Sequence, residues 1–396
     1  MLVDWIRPLL GRPGPFTSVH LDVSRAGGRH EREIAERWRP LRRILELSDT
    51  PAELLGMLDD AVAIPIRDDS IGGRLLVATD VDGILVDRPL VTSPPSSRVA
   101  RGATPDLLPA AVYSDEAVDH VVVTVDRAGA DLVRRGWGSS DVAWQACIDG
   151  ERADITQPGH GGISESRAVR RTQDAWSRNA HSVASVVDRL VATDGPEIIV
   201  LTGDTRAVGL VGRALGSRAR ALVVEIPGGS RGATGAQDIF EARLRGSLES
   251  HRVRRRAAVV ARLTEGLALG RGALTGLDAV VRASREGRVA ELVLETTVQR
   301  TVGEGPLVWA GDDWAALSLT PDVLVAQGEP HLREMDAVIA VLRAAIGQDA
   351  GVSFVEPGTA PLVDGIGAIL RWDVAEPQPR ASTGRGRGRP WATAYV

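Results

Sequence analysis

Apolar residues in this chain recur at helical spacing in some stretches and form short continuous runs in others. Ile34, Trp38, Leu41 and Leu45 lie three or four residues apart, which predicts a helix over Arg29–Leu47 with one buried face. Further helices are predicted over Pro51–Val62, Glu165–Val191, Thr205–Leu215, Ala236–Leu263, Gly276–Arg285 and His331–Ala345.

Short apolar runs predict the strands. They cover Thr17–Val23, Leu75–Thr79, Ile84–Val86, His120–Asp126, Ala130–Val133, Ile198–Thr202, Ala221–Glu225, Ala290–Glu295, Val323–Ala326, Val352–Val355 and Gly367–Trp372. The stretch Val91–Pro109 is rich in Ser, Pro and Arg and predicts an irregular loop. Alternation of strands and helices predicts an α/β fold with mixed sheets flanked by helices.

Composition narrows the possible classes of function. The 396 residues correspond to roughly two to four domains, and a hydrophobic content of 43% is ordinary for a folded, soluble protein. The net charge of −5 excludes a nucleic-acid binder that is basic overall, although a local basic surface remains compatible with it. We expect a cytoplasmic protein, because no apolar run approaches the roughly 18 residues of a membrane span.

The chain contains one cysteine and no lysine. Cys147 is the single cysteine, which excludes an internal disulfide and a cysteine-cluster metal site. The chain contains no lysine, so all 47 basic residues are arginine and every mechanism that needs a lysine amine is excluded. The seven histidines are scattered, so we predict no metal site and no cofactor.

Two sequence features are candidates for chemistry. Asp80-Val81-Asp82-Gly83 after an apolar strand resembles the nucleophile motif of magnesium-dependent aspartyl phosphatases, but the strand resumes at Ile84, which favours a hairpin turn. The loop Gln157–Ser166 is polar and rich in glycine, and Arg167, Arg170, Arg171 and Arg178 follow it on a predicted helix. The residues alone favour a flexible loop. RNA contact is the alternative, because glycines allow close backbone approach and arginines bind phosphate.

The loop lies within a longer stretch that resembles a known family. The segments HVVVTVDRAGADLVRR (120–135) and PGHGGISESRAVRRTQDAWSRNAHSVASVVDRL (158–190) are similar to the middle domain of archaeal and eukaryotic peptide-chain release factors. PEIIVLTGD (196–204), GLDAVVRASREGRVAELVL (276–294) and VDGIGAILRW (363–372) resemble later parts of the same proteins, and SVHLDVSR (18–25) resembles bacterial relatives. Pelota and the bacterial hibernation factor Balon belong to this superfamily.

The resemblance implies a domain order and a role for the loop. We expect an N-terminal α/β domain at 1–114, a middle domain at 115–250, a C-terminal α/β domain at 251–374 and a disordered Arg/Gly tail at 375–396. In release factors the middle-domain loop carries Gly-Gly-Gln and enters the peptidyl-transferase centre of the ribosome. The corresponding loop here is predicted to comprise Gly159, His160, Gly161, Gly162, Ile163 and Ser164.

The chain departs from the release-factor pattern at two points. Ile163 stands where the catalytic glutamine would be, and its side chain has no amide to position water. The lysine-bearing stop-codon motif cannot exist in a chain without lysine. The resemblance therefore implies a non-catalytic factor in the ribosomal A site of idle or stalled ribosomes, contacting rRNA and delivered by elongation factor Tu.

Two other hypotheses remain open. One is a peptidyl-tRNA hydrolase or rescue factor that uses backbone groups, His160 or the tRNA itself in place of glutamine. The other is a magnesium phosphatase built on Asp80 and Asp82. The arginine-rich stretch Arg252–Arg256 is a further candidate for RNA contact, with an ordinary solvated helix face as its alternative.

Overall fold

The structure, a computed structural model, has mixed α/β architecture. It describes residues 6–12, 14–24, 30–66, 71–90, 93–94, 96–135, 142–149, 162–231, 237–298 and 305–373, with the backbone alone for residues 162–172. The helices are α1 (His30–Leu47), α2 (Ala52–Ala63), α3 (Leu108–Glu116), α4 (Gly162–Asp194), α5 (Thr205–Ala214), α6 (Ser217–Ala221), α7 (Gln237–Leu269), α8 (Leu277–Arg285), α9 (Pro321–Ala326) and α10 (Ala337–Gly347).

The strands form four sheets along the chain. They are β1 (Phe16–Asp22), β2 (Gly73–Thr79), β3 (Gly83–Leu90), β4 (Arg98–Gly102), β5 (His120–Val125), β6 (Gly129–Arg135), β7 (Val142–Asp149), β8 (Ile198–Gly203), β9 (Val223–Glu225), β10 (Ala273–Thr275), β11 (Val289–Glu295), β12 (Leu307–Ala310), β13 (Leu317–Ser318), β14 (Arg333–Asp336), β15 (Gly351–Val355) and β16 (Ile366–Leu370). The predicted α/β class, with sheets flanked by helices, is confirmed.

The first sheet is antiparallel, in the order β3-β2-β1-β4. The apolar stripe of α1 predicted from the sequence is buried against this sheet together with α2, and Trp38 and Leu45 belong to that core. The opposite face of the sheet packs against Ile6, Leu107 of the segment before α3, and Ile346 of α10. The first sheet is therefore covered on one side by residues from distant parts of the chain.

The middle sheet has the order β7-β6-β5-β8-β9 and contains the predicted strand–turn–strand. Strands β5, β8 and β9 are parallel, and β6 and β7 are antiparallel to their neighbours. Helices α4 and α5 bury their apolar residues on one face. The N-terminal half of α7, through Phe240 and Leu244, covers the other face.

The last part of the chain contains a four-stranded sheet, β10-β16-β11-β15, and a small sheet, β13-β12-β14. Helices α8 and α10 and part of α3 pack on one face of the larger sheet. The C-terminal half of α7, through Val259 and Leu263, packs on the other face. The predicted domain borders stay a prediction, and residue 250 lies inside the continuous helix α7.

Three local predictions are wrong. Val323–Ala326 is helical, in α9, because Pro321 opens a helical turn and the apolar run that follows is too short to indicate a strand by itself. The predicted helix His331–Ala345 begins at Ala337, since Arg333–Asp336 pairs with β12 and Asp336 then caps α10. The predicted loop Val91–Pro109 contains β4, which pairs with β1.

The predicted disordered tail lies outside the described residues.

Candidate functional site

The predicted loop leads directly into α4. Gly159, His160 and Gly161 lie outside the described residues, whereas Gly162, Ile163 and Ser164 form the first turn of the helix. The helix therefore begins at the second of the paired glycines, three residues earlier than the spacing of apolar residues indicates. The backbone thus places Ile163 where the helix N-terminus begins.

The arginine positions of α4 share one side of the helix. Because an α-helix turns about 100° per residue, positions 167, 171 and 178 fall within about 40° of one another, and position 170 lies beside them. The buried residues Ala180, Val183 and Val187 lie on the opposite side. Arg178, whose side chain is described, is exposed. The predicted RNA-binding positions thus face away from the middle sheet.

Trp176 anchors the N-terminal half of α4 to the sheet edge. The guanidinium carbons of Arg127 and Arg206 lie 4.9 and 4.7 Å from the centre of its ring. Arg127 follows β5 and Arg206 opens α5, so the indole contacts two loops at the carboxyl end of the parallel strands. Asn179, one turn further along α4, donates to the carbonyl of Arg127 at 3.1 Å. These contacts fix the helix that carries the loop.

Asp204 connects this cluster to the start of α5. Its carboxylate accepts the backbone N–H groups of Arg206 and Ala207 at 3.0 and 3.1 Å and lies 3.4 Å from Arg127. The Ala207 N–H is the main cause that lowers the pKa of Asp204, and Arg127 adds to it. Asp204 is therefore ionised at neutral pH and holds both the helix and the arginine.

Arg231 is surrounded by carboxylates on the same edge of the sheet. Its guanidinium lies 3.1 Å from Asp126, 2.9 Å from Asp131 and 3.6 Å from Asp149, and hydrogen bonds to these carboxylates raise its pKa. Cys147 accepts a hydrogen bond from it at 3.2 Å. The hydrogen bond with Asp131 is the main cause that raises the pKa of the Cys147 thiol. This thiol is protonated at neutral pH. The surrounding carboxylates balance the charge of Arg231, so this arginine is a poor binding site for an anionic ligand.

The arginines of 252–256 mostly serve the packing of α7. Arg256 lies 3.0 Å from the carboxylate of Asp115, and Arg255 lies 2.7 Å from Glu197 and hydrogen-bonds the Asp115 carbonyl. Asp115 is only 1% exposed. Burial raises its pKa, and the two arginines oppose that rise. RNA contact by this stretch therefore stays a prediction, and two of its arginines, Arg255 and Arg256, neutralise carboxylates from other elements.

Asp80 and Asp82 lie in the turn of the β2–β3 hairpin, as the resumption of the strand predicts. Asp80 forms a two-point ion pair with Arg101, at 2.8 and 2.6 Å. Asp82 pairs with Arg12 at 3.0 Å, its carboxylate accepts from the Thr79 hydroxyl at 3.4 Å, and its backbone N–H donates to the same hydroxyl at 3.0 Å. Both carboxylates are thus committed to holding the turn, and the hairpin interpretation is confirmed.

The described residues contain no group of His, Cys, Asp and Glu side chains arranged to hold a metal ion. No helix in the described part of the chain is long and apolar enough to cross a membrane. Trp176, Arg127 and Arg206 were not predicted as site residues. The signal for them was weak, since an aromatic residue at helical spacing is usually a core residue.

The middle part of the chain matches a known protein family. Residues 119–269 match the sequence profile of bacterial archaeo-eukaryotic release factor family 2. The match runs from the start of β5 to the end of α7, and so it covers the middle sheet and all the helices that pack on it. This part of the chain is similar to the bacterial branch of the archaeo-eukaryotic release-factor superfamily. The resemblance found in the sequence is thereby confirmed.

Two relatives match nearly the whole chain. They are the uncharacterized proteins Rv2629 and MT2704 of Mycobacterium tuberculosis, strains H37Rv and CDC 1551. Each is 29% identical over 385 residues, which are 94% of this chain and 97% of the relative. The likeness therefore extends through all parts of this release-factor-like chain.

Solved structures of the superfamily align with the chain at low similarity. A ribosome-bound archaeal Pelota, in a model with ABCE1, covers 94% of each chain with 13% identity and a TM-score of 0.38. The translation termination-like factor Dom34 of S. cerevisiae covers 76% of this chain with 13% identity and a TM-score of 0.37. The archaeal translation termination factor aRF1 covers 93% with 12% identity and a TM-score of 0.24. Similarities this low carry no argument about function.

Proposed function

We propose that the protein is a ribosome-binding factor that occupies the A site of idle or stalled ribosomes and protects them during hibernation or stress. It does so without efficient hydrolysis of peptidyl-tRNA. The observation that carries this proposal is Ile163, which stands at the position of the catalytic glutamine in a chain of the release-factor superfamily.

The chemistry of the loop supports a blocking role. A release-factor loop uses a side-chain amide to hold water against the peptidyl-tRNA ester. The branched hydrocarbon of Ile163 neither donates nor accepts a hydrogen bond, so it cannot hold that water. Gly161 and Gly162 keep the small size that lets backbone approach RNA closely. A loop of this kind fills the peptidyl-transferase centre and excludes substrates.

The charge distribution supports binding to rRNA. RNA duplexes are recognised mainly by shape and backbone contacts, so a local arginine surface suffices in a chain of net charge −5. Positions 167, 170, 171 and 178 of α4 form such a surface on the side of the helix away from the sheet. The proposed site of action is the cytoplasm, the proposed carrier is elongation factor Tu, and the protein needs no cofactor of its own.

Sedimentation with ribosomes tests the proposal. Tagged full-length protein is centrifuged with ribosomes from growing and starved cells, at low and high salt. We expect it to pellet with ribosomes from starved cells, and less of it after joint replacement of Arg167, Arg170 and Arg171 by Gln. Arg39→Gln, Arg43→Gln and Arg262→Gln together form the matched control, since they remove equal charge from exposed positions elsewhere. Absence from ribosomal fractions under every condition would reject ribosome binding.

Hydrolysis of defined peptidyl-tRNA on purified ribosomes separates the proposal from the hydrolase alternative. We expect the wild-type protein to release peptide at the background rate, and His160→Ala to behave in the same way. Ile163→Gln restores the side chain that the family uses and is expected to raise release above that background. Release by the wild-type protein that is lost in His160→Ala would instead establish the hydrolase.

A further inference from the structure

Helices α5 and α6 carry a basic surface that the predicted loop does not include. The segment 205–222 contains four arginines and no aspartate or glutamate. The four arginine side chains, those of Arg206, Arg213, Arg218 and Arg220, are all exposed. The positive charge of this 18-residue stretch contrasts with the net negative charge of the whole protein.

These arginines differ from the others around the middle sheet in what surrounds them. Arg231 lies close to three carboxylates, and Arg134 pairs with Asp119 and Asp194. By contrast, Arg206, Arg213 and Arg218 form no ion pair with any carboxylate in the described part of the chain. Their charge is therefore available to an anion.

Two nearby carboxylates, Asp188 and Asp204, are already occupied. Asp188 of α4 accepts the backbone N–H of Gly216 at 3.1 Å with both oxygens. Asp204 caps α5 and contacts Arg127. Asp174 is an exposed carboxylate on α4 and lies four residues before Arg178. The balance on the outer side of α5 and α6 is therefore positive.

One of the four arginines has a structural role and is excluded from the site. Arg220 donates to the carbonyls of Gly212, Arg213 and Leu215 at 3.1, 2.8 and 2.6 Å. It thereby satisfies carbonyl groups at the C-terminal end of α5, which otherwise lack partners. Arg206, Arg213 and Arg218 remain as the side chains that can bind an external group.

Helix α5 lies beside α4. Trp176 of α4 contacts Arg206 at the start of α5, and Asp188 of α4 contacts Gly216 just after its end. The two helices therefore run side by side in the same direction for about three turns. Between its arginines α5 has Gly209 and Gly212, and the guanidinium of Arg213 and the carboxylate of Glu225 lie next to these glycines.

We propose that Arg206, Arg213 and Arg218 form a second RNA-binding surface, which holds the phosphate backbone of a structured RNA. It recognises shape and charge and does not read bases, because the surface offers guanidinium groups and helix backbone. The inference rests on the proposed function in one respect: the natural RNA is a segment of ribosomal RNA.

Salt-dependent binding to a model RNA tests this surface. The full-length protein is titrated against an RNA hairpin of about 16 base pairs, which is long enough to span two minor grooves, and against a DNA hairpin of the same sequence. The variant Arg206→Gln/Arg213→Gln/Arg218→Gln should bind the RNA at least tenfold more weakly at low salt. Its slope of log K against log salt should fall by about 2, at about 0.7 per phosphate contact.

Two controls guard against a change in folding. Arg213→Gln/Arg218→Gln spares the contact of Arg206 with Trp176 and should still lower the slope by about 1.4. Arg39→Gln/Arg43→Gln/Arg262→Gln removes equal charge elsewhere and should leave the slope unchanged. Unchanged affinity and slope in the triple variant, no binding of the RNA by wild-type protein, or equal binding of the DNA would each overturn the proposal.

Ribosome sedimentation of the same proteins separates the two proposals. Salt-dependent RNA binding by a protein that never pellets with ribosomes keeps this surface and rejects the proposed function. A triple variant that pellets with ribosomes as wild type does, with an unchanged slope on the hairpin, rejects this surface alone.

Discussion

His20 is a histidine that the fold keeps neutral. It lies on β1 between Leu75 of β2 and Arg98 of β4. Burial, assisted by the charge of Arg98, lowers the pKa of its imidazole to about 4. In the unfolded chain the pKa returns to 6.5, so between these values the unfolded state binds the proton and the folded state does not. Stability therefore falls as the pH is lowered through this window.

The change His20→Gln should flatten this dependence. Glutamine keeps a polar side chain and has no proton to gain, so the variant should avoid the penalty of about 2 kcal/mol that wild type acquires between pH 6.5 and pH 4.5. Urea unfolding midpoints of both proteins across that range measure the difference. His181→Gln, at an exposed position of α4, is the control and should follow the wild-type curve. Parallel curves for His20→Gln and wild type would contradict the prediction.

At the scale of elements, α5 depends on the side chain that caps its N-terminus. Asp204 is the N-cap, and it supplies acceptors for two of the N–H groups that the first turn of any helix leaves without partners. The same helix carries Arg206 and Arg213, so its capping fixes where these charges lie. The lowered pKa of Asp204 means that this stabilisation is present at neutral pH and is lost as the pH falls through the folded value.

Replacement of Asp204 separates capping from charge. Asp204→Ala should lower the free energy of unfolding by about 1–2 kcal/mol, because both the cap and the Arg127 contact are lost. Asp204→Asn keeps a capping oxygen and should cost clearly less. Thermal and urea unfolding of the two variants at pH 7 provide the comparison. An equal loss in both would mean that the ion pair, and not the cap, carries the stabilisation.

The long elements could be predicted from the sequence, and the short ones only in part. Helices α4 and α7 and the buried strands β5 and β8 have apolar patterns long enough to indicate both type and position. The apolar run of α9 does not, because four residues fit a strand or a helical turn equally well. Strand β4 is mostly polar, and only its pairing with β1 makes it a strand.

The candidate site, like the short elements, could be predicted from the sequence only in part. The glycine loop and the arginines of α4 follow one another in the sequence, so their association was visible. The roles of Arg255 and Arg256 were not, because their partner Asp115 lies about 140 residues away in the chain. Charge runs alone do not show whether an arginine faces solvent or a buried carboxylate.

At the scale of the whole molecule, α7 joins two cores. Phe240 and Leu244 pack under the middle sheet, and Val259 and Leu263 pack under the last sheet. Between these apolar halves lies a polar stretch in which Arg255 and Arg256 contact Asp115, and Asp115 in turn accepts the backbone N–H of Phe354 at 3.4 Å. One buried carboxylate thus connects α3, α7 and the last sheet.

Asp115→Ala should destabilise the protein strongly. Removing one partner of a buried ion pair costs about 3–5 kcal/mol, because the remaining charges stay buried without compensation. The matched control is Asp278→Ala, which breaks the exposed pair with Arg282 at 2.7 Å and should cost under about 1 kcal/mol. Urea unfolding followed by tryptophan fluorescence measures both. Similar losses for the two variants would show that the buried pair contributes no more than a surface one.

The packing of α3 also determines when this helix can be buried during synthesis of the chain. Leu108 and Ala111 belong to the core formed by α10 and β15, and these elements end at residues 347 and 355. On a translating ribosome, some 240 residues must be added after α3 before its binding site exists. At about 5–20 residues per second, roughly 10–50 s pass between the synthesis of α3 and the synthesis of the elements that it packs against. Over that interval the nascent chain exposes an apolar helix and an uncovered sheet face, which is the kind of surface that makes incomplete chains prone to aggregate.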